Sequence, residues 1–264
     1  MSCVVRSFKE TFHIAEDGSH VTGLKKGGKV ALLAACGPMG LEAIDWALHG
    51  DYKPSMIVVT DLDQERLDRA AQIFDPAEAE KKGVKLVFAN TADSAKLLEL
   101  SGGTGYDDVF AYIAVPDVVR LGDEILAFDG CLNFFSGPTD KNFSVPLNFY
   151  NVHYAQHHVA GTSGSTTEDM RDVVRLINEN RINPAVMVTH IGGLNAVIDT
   201  TLNFPKVPGG KKLIYTGIDL PLTAIADFAE AGKNDSRFLE LARITEENQG
   251  LWSTAAEKYL LEHF

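Results

Sequence analysis

Val30-Ala31-Leu32-Leu33-Ala34-Ala35-Cys36-Gly37-Pro38-Met39-Gly40 is an apolar run that empties straight into a glycine-rich turn. Twenty-one residues past Gly40 an acid, Asp61, ends a second apolar run, Met56 to Thr60. A strand buried on both faces of a parallel sheet reads as a continuous hydrophobic segment, and a turn that brings backbone close to a pyrophosphate at a helix N-terminus requires residues without bulky side chains. Val30 to Ala35 and Gly37 to Gly40 meet these two requirements. A carboxylate after the second strand can accept hydrogen bonds from the hydroxyls of an adenosine ribose, which favours NAD over its 2′-phosphorylated relative, NADP. No basic side chain stands in Thr60-Asp61-Leu62-Asp63 to welcome that phosphate. The fingerprint G-x-G-x-x-G is incomplete, because Ala35 occupies the place of its first glycine. Alanine tolerates a tight turn there provided its φ stays negative.

Outward from this turn, strand and helix patterns alternate. Met39 to His49 carries Leu41, Ile44, Ala47 and Leu48 at helical spacing, with Glu42 and Asp45 off that face. Met56 to Thr60 reads as a strand, Asp63 to Phe74 as a helix stopped before Pro76, Val84 to Phe88 as a strand and Ser94 to Leu100 as a short helix. Strands at Val109 to Ala114 and Gly130 to Phe135 enclose a helix at Val118 to Leu126. His158 to Gly161 is a sixth strand, and Ser165, with Glu168 three residues on, caps a helix reaching Asn180. This βαβα rhythm predicts an α/β fold, a doubly wound parallel Rossmann sheet with helices on both faces. Further short strands are expected at Met187 to His190 and Lys212 to Tyr215, around a helix near Ala196 to Leu202, and only helix beyond Leu220. The expected organisation is therefore a linker helix and connector (1–28), a nucleotide-binding domain (29–218) and a C-terminal helical segment (219–264). Val4, Val5, Phe8, Phe12 and Ile14 form a helical stripe ahead of a charged, glycine-rich connector, Glu16 to Gly28, and such a segment reads as the inside of a longer protein.

Composition excludes several classes. With 264 residues, 45% of them hydrophobic, the chain can bury a sizeable core. A net charge of −12 disfavours nucleic acid and anionic membrane as partners, since both would repel it. Three cysteines cannot all pair, which suits a reducing, cytoplasmic compartment. No apolar run is long enough for a membrane span.

Gly37-Pro38-Met39-Gly40, Val59-Thr60-Asp61, Asp129-Gly130-Cys131, Asn151-Val152-His153-Tyr154, Gly161-Thr162-Ser163-Gly164 and Lys211-Lys212-Leu213-Ile214 together resemble the cofactor-binding half of the zinc-type medium-chain alcohol dehydrogenases. Within that superfamily the likeness is to L-sorbose 1-phosphate reductase-like proteins. The resemblance implies hydride transfer between NAD(P) and a secondary alcohol or ketone, a small sugar or polyol in the full-length enzyme, with a zinc ion polarising the carbonyl oxygen. It places the zinc ligands in an N-terminal catalytic domain that is missing here, makes the first helix the link to that domain, and implies a homodimer.

This chain offers no metal site of its own by sequence: Cys3 is isolated, no C-x-x-C or H-E-x-x-H spacing occurs, and the cluster His153, His157, His158 reads as surface or interface histidines. No catalytic residue is assigned. None of the seven tyrosines has the lysine four residues later that a short-chain dehydrogenase needs, and the nucleophile elbow G-x-S-x-G is absent. Asp107 and Asp108 read as solvated charges at a strand start. The cofactor residues expected are Gly37, Pro38, Met39 and Gly40, presenting backbone N–H groups and a helix N-terminus to the pyrophosphate, and Asp61 with its neighbour Leu62 at the ribose. Ala114, Val115 and Ser136, at the carboxyl ends of two strands, border the nicotinamide end. Two other functions share these features: a stand-alone nucleotide-binding or redox-sensing module without chemistry, and an S-adenosylmethionine methyltransferase, which also joins a glycine-rich turn to an acid.

Overall fold

The chain opens with helix α1 (Ser2–Glu10) and a small antiparallel hairpin, β1 (Phe12–Ile14) and β2 (His20–Thr22), before the decisive apolar run forms strand β3 (Lys29–Leu33). The structure, a computed structural model, describes residues 1–207 and 209–264. From β3 the chain alternates: α2 (Pro38–His49), β4 (Met56–Thr60), α3 (Gln64–Ile73), α4 (Pro76–Lys81), β5 (Lys85–Ala89), α5 (Ser94–Leu100), β6 (Tyr106–Ala111), α6 (Pro116–Glu124), β7 (Leu126–Phe134), α7 (Phe149–Tyr154), β8 (His158–Gly161) and α8 (Thr167–Asn178).

The six strands β3 to β8 form one sheet in the order β5-β4-β3-β6-β7-β8, with every neighbouring pair parallel. The chain runs outward from β3 through β4 to β5, then returns to lay β6 on the other side of β3. This reversal of strand order opens a crevice at the carboxyl ends of β3 and β6, where open α/β sheets hold their ligands. The expected doubly wound Rossmann fold is present.

Alternation along the central strands divides the core. Ala31, Leu33, Val58, Val109, Ala111 and Leu132 face one layer with Leu97 of α5 and Val119 and Leu121 of α6. On the opposite face Phe8 of α1 stacks on Phe110 of β6 at 4.4 Å between ring centroids, and α1 packs on α2 and α8. Val4, Val5 and Phe8 are wholly buried there, so the first helix is an integral part of the core of this unit. The stripe is shorter than its spacing suggested: Phe12 and Ile14 lie in the hairpin instead. Helix starts follow local chemistry, with Asp63, Asp75 and Asp93 capping α3, α4 and α5 through their side chains. The capping box of α8 is Thr166 with Asp169, one residue later than expected, while Ser165 bonds the Ser2 hydroxyl.

Two compact units are present, Met1–Asn183 and Pro184–Phe264, a different partition from the one drawn from sequence. The second unit has its own sheet: β9 (Val188–Gly193) pairs in parallel with β10 (Lys211–Tyr215) and antiparallel with β11 (Thr223–Ala224). Hydrophobic periodicity locates short strands but carries no information on which sheet they join. The helices α9 (Val197–Leu202), α10 (Phe228–Ala231), α11 (Arg237–Glu247) and α12 (Thr254–His263) complete this unit. Its core gathers Ile191, Phe228, Phe238, Leu241, Trp252 and Leu260, and the Trp252 indole donates to the Tyr215 hydroxyl at 2.8 Å. The segment beyond Leu220 is thus mostly helical, with β11 the exception.

Candidate functional site

The turn after β3 is stapled to the end of β4. Ala34 N–H donates to the Thr60 hydroxyl (3.3 Å), Ala35 N–H to the Thr60 carbonyl (2.9 Å) and Cys36 N–H to the Asp61 carboxylate (3.2 Å). Ala35 keeps a negative φ and is fully buried, which is the condition under which alanine can replace the first glycine; the left-handed residue is its neighbour Ala34, at φ +53°. An L-residue in that conformation costs about 1–2 kcal/mol, and glycine avoids it at a smaller entropic cost. Ala34→Gly is therefore expected to stabilise the chain by roughly 0.5–1 kcal/mol, read as a higher urea midpoint at unchanged slope. A lower midpoint would show that the methyl group contributes packing that outweighs the strain.

The two glycines of the turn serve different ends. A Cβ on Gly40 would lie 1.9 Å from the Ala35 carbonyl oxygen and 2.3 Å from its carbon, so only glycine lets α2 close onto the turn. A Cβ on Gly37 would meet nothing within 4 Å, so the space in front of that backbone is open. Gly37 is the N-cap of α2, and no side chain caps this helix. Contrary to the expectation that all four residues present N–H groups, Pro38 has none, so its part is to fix the first helical φ while Gly37 and Met39 carry the amides. The result is an anion-ready helix N-terminus over open space.

Asp61 is half-buried and accepts from two backbone amides, that of Cys36 and that of Asp63 (3.1 Å). Leu62 beside it is 71% exposed, an apolar side chain left in solvent at the carboxyl edge of the sheet. Ala114 and Val115 follow β6, with Val115 the N-cap of α6, and Tyr112 N–H donates to the Leu33 carbonyl (3.1 Å), tying this exit to β3. Ser136, past the end of β7, donates to the Ala111 carbonyl at 3.2 Å. All nine residues therefore lie along the carboxyl edge of one sheet, and the Cys36 amide just ahead of Gly37 ties the turn to Asp61. Burial and the Asp61 charge push the Cys36 thiol up to about 12, which keeps it protonated and unreactive at neutral pH.

Several polar groups lie where sequence did not place them. Glu42 and Asp45 of α2 are buried: Glu42 pairs with the chain's amino terminus at 2.6 Å, and Asp45 takes His49 at 2.8 Å and the Asn183 amide at 2.6 Å. Helical periodicity could not show this, because α2 is enclosed all round. Asp108, read as a solvated strand end, is wholly buried at the amino-terminal edge of the sheet, where it faces His13 Nε2 at 3.1 Å and accepts from Lys25 N–H at 3.0 Å. His13 Nδ1 donates to the Asp129 carbonyl at 2.8 Å. The histidines also depart from the surface reading: His157 is buried opposite Asp123 at 3.5 Å and His158 donates to the Asp129 carboxylate at 2.8 Å, leaving only His153 exposed. Among the described residues no group of three His, Cys, Asp or Glu is arranged to hold a metal ion.

The His13 and Asp108 pair has a pH signature. Both ring nitrogens of His13 face acceptors, so the pair holds one proton more than a neutral imidazole beside a carboxylate. Burial lowers the His13 pKa, but the bond and charge of Asp108 and the contacts with Asp129 outweigh it and raise it above its ordinary 6.5. A raised folded-state pKa gives stability that is complete below the unfolded value and is lost as pH rises through the folded one. The urea midpoint should therefore fall above about pH 6.5, and His13→Asn should flatten that slope. A slope unchanged in the variant would show that the proton sits elsewhere.

A cavity of about 700 Å³ lies at the amino-terminal edge beside His13, Tyr52 and Lys53. The glycine turn opens onto free space at Gly37, and the ligand-bearing edge of such sheets is the carboxyl one.

Residues 38–179 match the family of zinc-binding dehydrogenases. The uncharacterized protein YggP of Escherichia coli (strain K12) is 52% identical over all of this chain and 63% of its own length. The mannitol-1-phosphate 5-dehydrogenase of Aliivibrio fischeri is 48% identical, with 64% of it covered, and the L-sorbose 1-phosphate reductase of Klebsiella pneumoniae 45%, with 62% covered. The chain thus spans less than two thirds of the length of these curated relatives. Among solved structures, 2R,3R-butanediol dehydrogenase from Bacillus subtilis superposes with a TM-score of 0.60 at 20% identity, over 81% of this chain and 56% of that one. An Escherichia coli alcohol dehydrogenase complexed with NADH does so with a TM-score of 0.58 at 12% identity, over 81% and 56%. The match over residues 38–179 takes in the sheet from β4 to β8 and the α2 N-terminus, and this chain belongs to the zinc-binding dehydrogenase family.

Proposed function

We propose that this chain is the NAD(H)-binding part of a zinc-dependent medium-chain dehydrogenase acting on a sugar phosphate or polyol phosphate, with the zinc-bearing catalytic domain outside it. The observation that carries the reading is the uncapped α2 N-terminus over open space, with the Asp61 carboxylate fixed beside it. The residues fit a dinucleotide. Gly37 and Met39 amides would hold the pyrophosphate, Gly40 would keep the helix close, and Asp61 would accept from the adenosine ribose hydroxyls, with Leu62 covering the adenine side. Ala114, Val115 and Ser136 would border the nicotinamide. When bound, the nicotinamide supplies the hydride donor or acceptor; this chain's residues bind and orient it. The sugar-phosphate substrate class rests on the names of two relatives, and on this reading the substrate contacts come from the proposed catalytic domain.

A cytoplasmic homodimer completes the proposal. Three free thiols suit a reducing compartment. The β8 edge has no further strand beside it within the described sheet, and Val159 on it is exposed, as are the aromatics Phe149, Tyr150 and Tyr154 of α7. An unpaired edge and exposed apolar side chains are suited to a second copy. Thermal-shift comparison of NADH with S-adenosylmethionine tests the cofactor class: NADH should raise the melting temperature and the methyl donor should not. The opposite pattern would make this a methyl-donor site.

A further inference from the structure

The two ends of α2 face different surroundings. Its N-terminus meets the glycine turn at the carboxyl edge of the sheet, whereas its last residue, His49, borders a second cavity at the amino-terminal edge, about 470 Å³ in volume. Three further stretches of chain meet there: Lys53 ahead of β4, Lys82 ahead of β5, and Asn180 with Arg181 after α8. Leu48 and Val84, both buried, supply its apolar lining, and among the described residues no Asp or Glu lines it. In a chain of net charge −12, a concave surface with three cations, an imidazole and no acid is suited to an anion.

Two of these groups are held in place. The buried Asp45 carboxylate accepts from His49 Nδ1 at 2.8 Å, which leaves Nε2 to accept from Lys82 Nζ at 3.1 Å. Arg181 donates through Nε to the His49 carbonyl at 2.9 Å and through Nη2 to the Gly50 carbonyl at 2.7 Å, so it offsets the negative end of α2 that would otherwise repel an anion. Its Nη1 serves Asp51 at 2.9 Å and Glu179 at 3.3 Å, neither of which lines the cavity. The other groups are available. Lys82 has only the His49 imidazole, and the Lys53 ammonium and the Asn180 carboxamide have no hydrogen-bond or ion-pair partner among the described residues.

We propose that this cavity binds a small phosphate-bearing ligand, inorganic phosphate or a phosphate monoester, at the opposite edge of the sheet from the glycine turn. A phosphate dianion offers acceptor oxygens to three or four separate donors at once, whereas a carboxylate has two oxygens to share among them. Lys53, Lys82 and Asn180 would hold it, with Arg181 adding a fixed positive charge beside them. The net charge of −12 and the size of the cavity favour a small molecule over a polyanionic surface. The site shares no residue with the proposed dinucleotide site and stands or falls without it.

Isothermal titration of the whole chain with inorganic phosphate and with glycerol 3-phosphate, at an ionic strength fixed with chloride, tests the site. Saturable binding of at least one probe is expected, and the tighter of the two tells whether the ligand is the free ion or an ester. Lys82→Ala should weaken it about tenfold, the scale of one charge-assisted hydrogen bond, and Lys53→Ala with Lys82→Ala about 100-fold. Both lysines are exposed, so these variants should fold as the parent does, by circular dichroism. The α2 N-terminus is also open to an anion, so Gly37→Ala is titrated beside them and should keep its phosphate affinity within about twofold. A folded parent chain with no saturable binding of either probe overturns the proposal. So does binding that survives both lysine substitutions, or binding lost in Gly37→Ala, which would assign the phosphate to the glycine turn.

Discussion

Gly40→Ala is expected to destabilise the chain by about 3 kcal/mol or more, at or above the upper end of ordinary overpacking, and to abolish dinucleotide binding. The added carbon would stand 1.9 Å from the Ala35 carbonyl oxygen and 2.5 Å from the Ala35 Cα, so both sides of the contact are backbone and neither has a rotamer with which to yield. Ala35 cannot retreat, because its amide is bonded to Thr60 and its methyl group is buried against the sheet. The only relief is to lift the start of α2 from the strand, which moves the Gly37 and Met39 amides off the shelf. Urea denaturation of Gly40→Ala beside Gly37→Ala checks this. The Gly37 variant, whose new methyl group meets nothing within 4 Å, should keep near-parent stability while losing nucleotide affinity. Equal stability in the Gly40 variant would mean that the helix start is free to shift.

Asp61→Ala is expected to weaken NADH binding about 100-fold. A carboxylate accepting one or two ribose hydroxyls supplies charge-assisted bonds of about 1.5–3 kcal/mol each, and a change of 1.4 kcal/mol is tenfold in affinity. The same carboxylate accepts the Cys36 and Asp63 amides, so removing it also loosens the turn proposed to carry the pyrophosphate donors. Asp61→Asn, which keeps one acceptor oxygen for the Cys36 amide, should lose affinity by a smaller factor. An alanine variant that binds as well as the parent would place the ribose elsewhere.

The main sheet was legible because its strands are buried on both faces and read as unbroken apolar runs, Val30 to Leu33 and Met56 to Val59 most clearly. The glycine turn and its acid were legible for a related reason, since close backbone approach leaves few residue types able to serve. What stayed hidden involves partners distant in sequence. His13 meets Asp108 and Asp129 across about a hundred residues of chain, so an acid at a strand start looked solvated when it was buried. Glu42 and Asp45 broke the expected polar face of α2 because α1 and residues near Asn183 cover it. The left-handed Ala34 gave no signal, alanine being an unremarkable residue type for any conformation but that one. Arg66 lies outside Thr60 to Asp63 in sequence, yet the first turn of α3 returns its side chain to the Asp63 carboxylate.

Gly40, Asp61 and the α2 N-terminus together make one claim, that this chain binds a nicotinamide dinucleotide without help from any further domain. Isothermal titration of the chain with NADH tests it most directly. Saturable binding of one NADH per chain, lost in Asp61→Ala and Gly37→Ala, is the predicted result. A chain that is folded by circular dichroism and gives no saturable heat with NADH would contradict it.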